Sequence, residues 1–145
     1  MSELHVLFKV GGSEYAVAAS EVLHLESFVT ATKVPGAPAH VTGLMQVRGR
    51  VVPIIDLRQR FGVGVHEPSS LSRVLVVQVG ARAVALLADS AREVMKIDTA
   101  EFREAPEMVV DAGQGFVKSV TQTGGRLIML VDLEKVVGEE NTDGH

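Results

Sequence analysis

Three aspartates and four closely spaced arginines are the candidate reactive side chains of this sequence. Asp56 and Asp132 stand at matched places in two copies of one fourteen-residue stretch. Paired carboxylates can divide acid and base work between them. Each of these, however, follows an apolar run and opens a short helical signature, so capping a helix N-terminus is the predicted role. Asp89 follows Ala85-Leu86-Leu87-Ala88 and is predicted at a strand end. His5, His24, His40, His66 and His145 show no metal-ligand spacing. His24 is predicted to be a boundary or surface residue. With no cysteine there is no thiolate nucleophile, disulfide or cysteine-based zinc site. No serine stands in a Gly-x-Ser-x-Gly elbow and no glycine-rich loop has phosphate spacing. Gly11-Gly12 and Gly124-Gly125 read as hairpin glycines. The residues therefore predict no enzyme, no metal and no cofactor.

Arg48, Arg50, Arg58 and Arg60 form the densest basic cluster. A nucleic-acid interface would need aromatic platforms beside such a patch. The chain has one Tyr, five Phe, no Trp and a net charge of −4, so a nucleic-acid-binding β-barrel is the weaker alternative. Arginine also suits protein contacts, because it pairs with carboxylates while resting its stem on apolar surface. Arg58 and Arg60 are predicted on a solvated helix face. Arg48 differs, since the second copy of the repeat has Gly124 in its place. That asymmetry suits a function confined to one half, or a local hydrogen bond. A third reading, a small-molecule sensor with its ligand in a cleft between barrels, lacks convergent polar groups.

The repeat indicates the strands and helices that carry these residues. Residues 49–62 and 125–138 are identical at five of fourteen positions: Gly, Arg, Asp, Leu and the closing Gly. Each copy predicts a buried strand, an Asp-capped helical turn and a glycine stop. Pro53 within the first copy predicts an edge strand or a bulge. Hairpins are predicted over residues 4–18, around Gly11-Gly12, and over 73–87, around Gly80. Residues 33–38 form a proline-pinned loop, and the polar stretch 62–72 marks the boundary between halves of about 10–72 and 73–138. Eight to ten short strands with brief helices predict an all-β chain of two pseudo-repeated five-stranded barrels plus a short C-terminal helix. Residues 1–138 would form one unit with strands exchanged between the halves, and 139–145 a polar tail. The start of the chain shows neither a basic n-region nor a long apolar stretch, and a cytoplasmic location is the expectation.

In order and spacing, several segments resemble the CheW family of chemotaxis coupling proteins. They are Glu14-Tyr15, Glu21-Val22-Leu23-His24-Leu25, Val34-Pro35-Gly36-Ala37-Pro38 and Gly43-Leu44-Met45-Gln46-Val47-Arg48-Gly49. Val52-Pro53-Ile54-Ile55-Asp56-Leu57-Arg58, Ala88-Asp89, Ala105-Pro106-Glu107 and Leu130-Val131-Asp132-Leu133 complete the set. The resemblance spans roughly residues 4–138 and implies two SH3-like barrels without catalysis. It implies an adaptor that binds the cytoplasmic hairpin tip of chemoreceptors and the regulatory domain of a CheA-type histidine kinase, recruited to receptor arrays. A paralogue binding only one of the two is the alternative within the family. The receptor groove would lie near Val22, Leu25, Arg48, Ala91 and Val94. Gly43 matches a position where only a small residue fits beside the partner. Arg103 and Met108 match positions in the kinase contact. His24 stands where the family usually has an acidic residue, and Met108 where it has Phe.

Overall fold

The computed structural model describes residues 2–64, 67–106 and 115–138. Its elements are β1 (Ser2–Val10), β2 (Ser13–Ala18), β3 (Val22–Ser27), β4 (Gly43–Val47), β5 (Arg50–Asp56) and α1 (Leu57–Phe61) in the first half. The second half supplies β6 (Arg73–Val79), β7 (Arg82–Ala88), β8 (Ser90–Asp98), β9 (Arg103–Glu104), β10 (Val117–Thr123), β11 (Arg126–Val131) and α2 (Leu133–Val137).

Apolar patterning divides the strands into two kinds. Val74, Leu75, Val76 and Val77 of β6 are all essentially inaccessible. A strand with no polar face needs a core on each side. Val74 and Val76, with Ala83, Ala85 and Leu87 of β7, turn to one barrel interior and meet Met45, Val47, Val52 and Ile54. Leu75, Val77, Val84 and Leu86 point the other way, into a layer shared with Val6, Phe8, Val10, Tyr15, Val17 and the α2 residues Leu133, Val136 and Val137. Leu7 and Ala16 turn to the second interior with Ile97 and Ile128. The hairpins β1–β2 and β6–β7 are thus the filling between two barrels, and α2 packs into that layer.

The two sheets run β3-β6-β7-β5-β4 and β8-β1-β2-β11-β10-β9. Replacing each strand by its counterpart in the other half converts the first order into the first five strands of the second. Each half therefore lends its leading hairpin to the other half's sheet. Parallel ladders mark the joins, with Ile54 opposite Ala85 and Ile128 opposite Glu14. The first sheet closes through an isolated bridge in which Thr32 and Leu44 exchange two 2.8 Å hydrogen bonds. In the second, β9 pairs with β10 at the corresponding place. The all-β class with brief helices is the one expected; one curled sheet has six strands rather than five.

Pro53 corrects a sequence-based expectation. Strand β5 is internal, lying between β7 and β4, and its ladder with β4 carries no bulge. Pro53 lies opposite Leu44, whose N–H and C=O are both bonded to Thr32 on its other side. The Leu44–Pro53 pair is therefore one that exchanges no hydrogen bonds. The ladder to β7 begins only at Ile54. No donor is required of residue 53, so an internal strand tolerates proline there.

Both repeat aspartates cap as predicted. The Asp56 carboxylate accepts from the Arg58 N–H at 3.0 Å and that of Asp132 from the Lys135 N–H at 3.3 Å. Gly62 ends α1 in the left-handed region (φ 71°, ψ 31°), where its N–H reaches the Arg58 and Gln59 carbonyls.

Candidate functional site

The apolar residues assigned to a partner groove lie on two strands that occupy the same place in their sheets. β3 and β8 are each the first strand of a sheet, next to β6 and β1. Val22 lies opposite Val77 and Leu25 opposite Leu75, while Ala91 lies opposite Phe8 and Val94 opposite Val6. Residues directly opposite in an antiparallel ladder share a face. All four opposite residues belong to the layer between the barrels, so Val22, Leu25, Ala91 and Val94 all turn toward that layer. Ala91 is buried within it, whereas Leu25 and Val94 remain 43% and 58% exposed. Leu75 and Val6 are counterparts in the repeat, so Leu25 and Val94 are counterparts too. Two apolar side chains thus stand in water at matched edges of the two sheets.

Arg48 stands at the end of the first barrel's closing seam. It and Gly49 form the two-residue turn between β4 and β5, with φ of 49° and 81°. A turn with positive φ at both positions matches the twist of the strands it joins. Arg48 is the one non-glycine residue with positive φ among the described residues, and its Cβ makes that conformation unfavourable by about 1 kcal/mol. Its Nε donates to Glu26 Oε2 of β3 at 2.8 Å, tying the two terminal strands of the sheet together. The acidic partner is thus two residues beyond His24. Sequence reasoning missed Glu26, although the period of a strand places residues 24 and 26 on one face.

Residues 4–141 match the family of CheW-like domains. The chain belongs to that family. It is 32% identical over 138 residues to a chemotaxis protein CheW of Rhizobium meliloti (strain 1021), covering 95% of this chain and 89% of that protein. Identity to chemotaxis protein CheW of Bacillus subtilis (strain 168) is 28% over 140 residues, 97% of this chain and 90% of that one. The crystal structure of the scaffolding protein TtCheW from Thermoanaerobacter tengcongensis superposes with a TM-score of 0.86 at 27% identity, covering 98% of this chain and 92% of that one.

The remaining assigned positions in this CheW-like chain fall elsewhere. Gly43 is buried in β4, and a Cβ on it would collide with the Thr32 carbonyl of the chain's own seam. The small residue is thus demanded by internal packing. Gly43→Ala is expected to lower stability by about 1–3 kcal/mol, the usual cost of overpacking, read as a fall in the urea midpoint. An unchanged midpoint would show that the seam adjusts freely. Arg103 is exposed on β9, at the opposite end of the sheet order from β8, and borders a cleft of about 420 Å³ with Leu127 and Gln122. Met108 lies outside the described residues. Among the described residues no group of three or more His, Cys, Asp or Glu could hold a metal, and no helix is long and apolar enough to cross a membrane.

The four-arginine cluster is not a patch. The expectation of a solvated helix face for Arg58 and Arg60 fails, because both face inward. Arg58 Nε donates to both Asp89 oxygens, at 2.9 and 3.2 Å, and its Nη1 donates to the Gly64 carbonyl at 3.0 Å. Arg60 donates to the Val136 and Lys135 carbonyls of α2, at 2.9 and 3.0 Å, and lies 4.8 Å above the Phe116 ring. Arg82 donates to the Gly138 carbonyl at 3.0 Å. The carbonyls at and just beyond the C-terminus of α2 are thus satisfied by cations, as a helix macrodipole favours.

The repeat's second arginine is engaged too. Arg126 donates to Glu14 through Nε at 3.0 Å and Nη2 at 2.6 Å, and to Glu93 at 2.7 Å. These bonds hold the Glu14 carboxyl below its ordinary value and push the Arg126 guanidinium up. Burial acts oppositely on Asp56, whose carboxyl is raised. A carboxyl depressed by folding stabilises the fold above its unfolded value, about 4.3 for Glu, and that contribution vanishes as pH falls through the lower folded value. Asp56 has the reverse sign, regaining stability on acidification. Glu14→Gln is therefore expected to flatten the loss of thermal stability between pH 6 and pH 3. Parallel Tm profiles for the two proteins would remove Glu14 from the acid limb.

Proposed function

We propose that this chain is a non-catalytic adaptor that couples the cytoplasmic hairpin tips of chemoreceptors to a CheA-type histidine kinase. The observation that carries this reading is the pair Leu25 and Val94, exposed at matched edges of the two sheets above one shared apolar layer. A helical hairpin presents an apolar ridge of the kind that would cover such exposed side chains. Membership of the CheW-like family over nearly the whole chain supports the reading, as do relatives named for chemotaxis. The absence of catalysis is supported by the fate of the candidate groups, since Asp56 and Asp132 cap helices and Asp89 is held by Arg58. On this reading Arg103 and Met108 belong to the kinase contact, and the protein works in the cytoplasm at receptor arrays.

Immobilised chain should retain a receptor signalling hairpin, a CheA regulatory domain, or both. Retention of neither would overturn the proposal. Arg48→Ala is expected to weaken receptor binding about tenfold, roughly 1.4 kcal/mol. The exposed Arg48–Glu26 pair contributes only about 0.2–1 kcal/mol to folding, so Tm should move by a few degrees at most. Titration of the hairpin onto both proteins checks this, and equal affinities would take Arg48 out of the site.

A further inference from the structure

Ladders within each half are sparse. In residues 2–64, β1 pairs with β2 and β4 with β5, but β3 pairs only with β6, β2 continues to β11, and β5 continues to β7. Beyond the Thr32–Leu44 bridge, no backbone ladder among the described residues joins the first half's three pieces to one another. In the second half β9, β10 and β11 pair among themselves, but β8 pairs only with β1, and β6–β7 is joined to the rest of its sheet through β3 and β5. Isolated two-stranded hairpins are marginal in water, so the β1–β2 and β6–β7 hairpins and the single strands β3 and β8 each complete their sheet on strands of the other half. The Arg58–Asp89 and Arg126–Glu14 pairs, and the Arg60 bonds to α2, all cross between halves. Covalently, the halves are joined once, through residues 62–72.

From this reciprocal arrangement we propose that the chain also forms a strand-exchanged dimer, in which the first half of each copy closes on the second half of the other. The partner is a second copy of this chain, because every crossing surface is complementary to one the chain itself carries. Both forms make the same crossing ladders, ion pairs and inter-barrel layer. They differ in the path of the connector and in the entropy of association, the circumstances in which domain exchange comes at low cost.

The chain has no cysteine, which permits a direct test. Leu4 and Lys96 are exposed and opposite each other on the crossing ladder between β1 and β8. Cβ atoms of such pairs lie about 4.5–5.5 Å apart, near disulfide reach. The full chain carrying L4C and K96C would be refolded at rising concentration, oxidised, and run on a non-reducing gel. A closed monomer links within one chain, whereas an exchanged dimer becomes a covalent dimer. The dimer share should rise with chain concentration during refolding, as mass action requires. Internal links alone at every concentration, with folded protein recovered in full, would overturn the proposal. So would an equal yield of dimer from L4C alone, which would mark an adventitious surface link. If the first pair fails to fold, S27C with R73C makes the same measurement on the ladder between β3 and β6.

Discussion

Phe8→Ala lowers the unfolding free energy by about 3–5 kcal/mol, the usual cost of emptying a buried aromatic site. Phe8 is 2% exposed, in the layer between the barrels. Its ring lies 5.7 Å from Tyr15, which lies 4.9 Å from Phe61, which lies 5.6 Å from Phe116. Four of the chain's six aromatic residues thus form one string joining the β1–β2 hairpin, α1 and the approach to β10. The layer is hemmed in by two sheets and α2, and has little freedom to collapse into the space. With a total stability of about 5–15 kcal/mol for a domain of this kind, such a loss is a large fraction of the whole. Urea unfolding followed by far-UV circular dichroism reads it, and a loss below about 1 kcal/mol would mean the layer repacks.

Asp89→Asn is expected to cost about 1–3 kcal/mol, because it leaves the Arg58 guanidinium, only 17% exposed as a side chain, without its counter-charge. The range is held below that of a fully buried pair because the Asp89 side chain is 27% exposed, so water screens part of the interaction. Asp89 does more than pair. Its Oδ2 accepts from the Gly11 N–H at 2.9 Å, and its own N–H donates to the Lys9 carbonyl at 2.9 Å. One side chain thus pins the tip of the first half's hairpin to α1 and to the junction of β7 and β8, where the halves interlock. Arg58→Gln should cost a comparable amount, and the double substitution much less than the sum, since each single change removes the same pair. Costs that add would show that the two residues act separately.

Much of this is legible in the sequence alone. The repeated Asp-Leu steps were identifiable as helix caps, because a short carboxylate after an apolar run satisfies the orphan N–H groups of a helix start. The second hairpin, around Gly80, falls where it was expected. Pro53, Arg58 and Arg60 depart from expectation for one reason. A residue's own neighbours in sequence say nothing about which backbone group or carboxylate lies across from it. Leu44 opposite Pro53, Asp89 beside Arg58 and α2 beneath Arg60 are all set by chain segments 9 to 76 residues away.

The all-β class, the duplicated unit, the caps and the likeness to CheW proteins are all written in local pattern. Each of these depends on short-range pattern: alternation, apolar runs, turn residues and their spacing. Tertiary structure alone decided that Arg48 meets Glu26, that Gly43 answers to Thr32, and that Leu25 and Val94 are left uncovered at matching edges. Those are facts of closure. A sheet that curls on itself chooses which distant residues become neighbours and which apolar side chains find no cover, and no local rule encodes that choice.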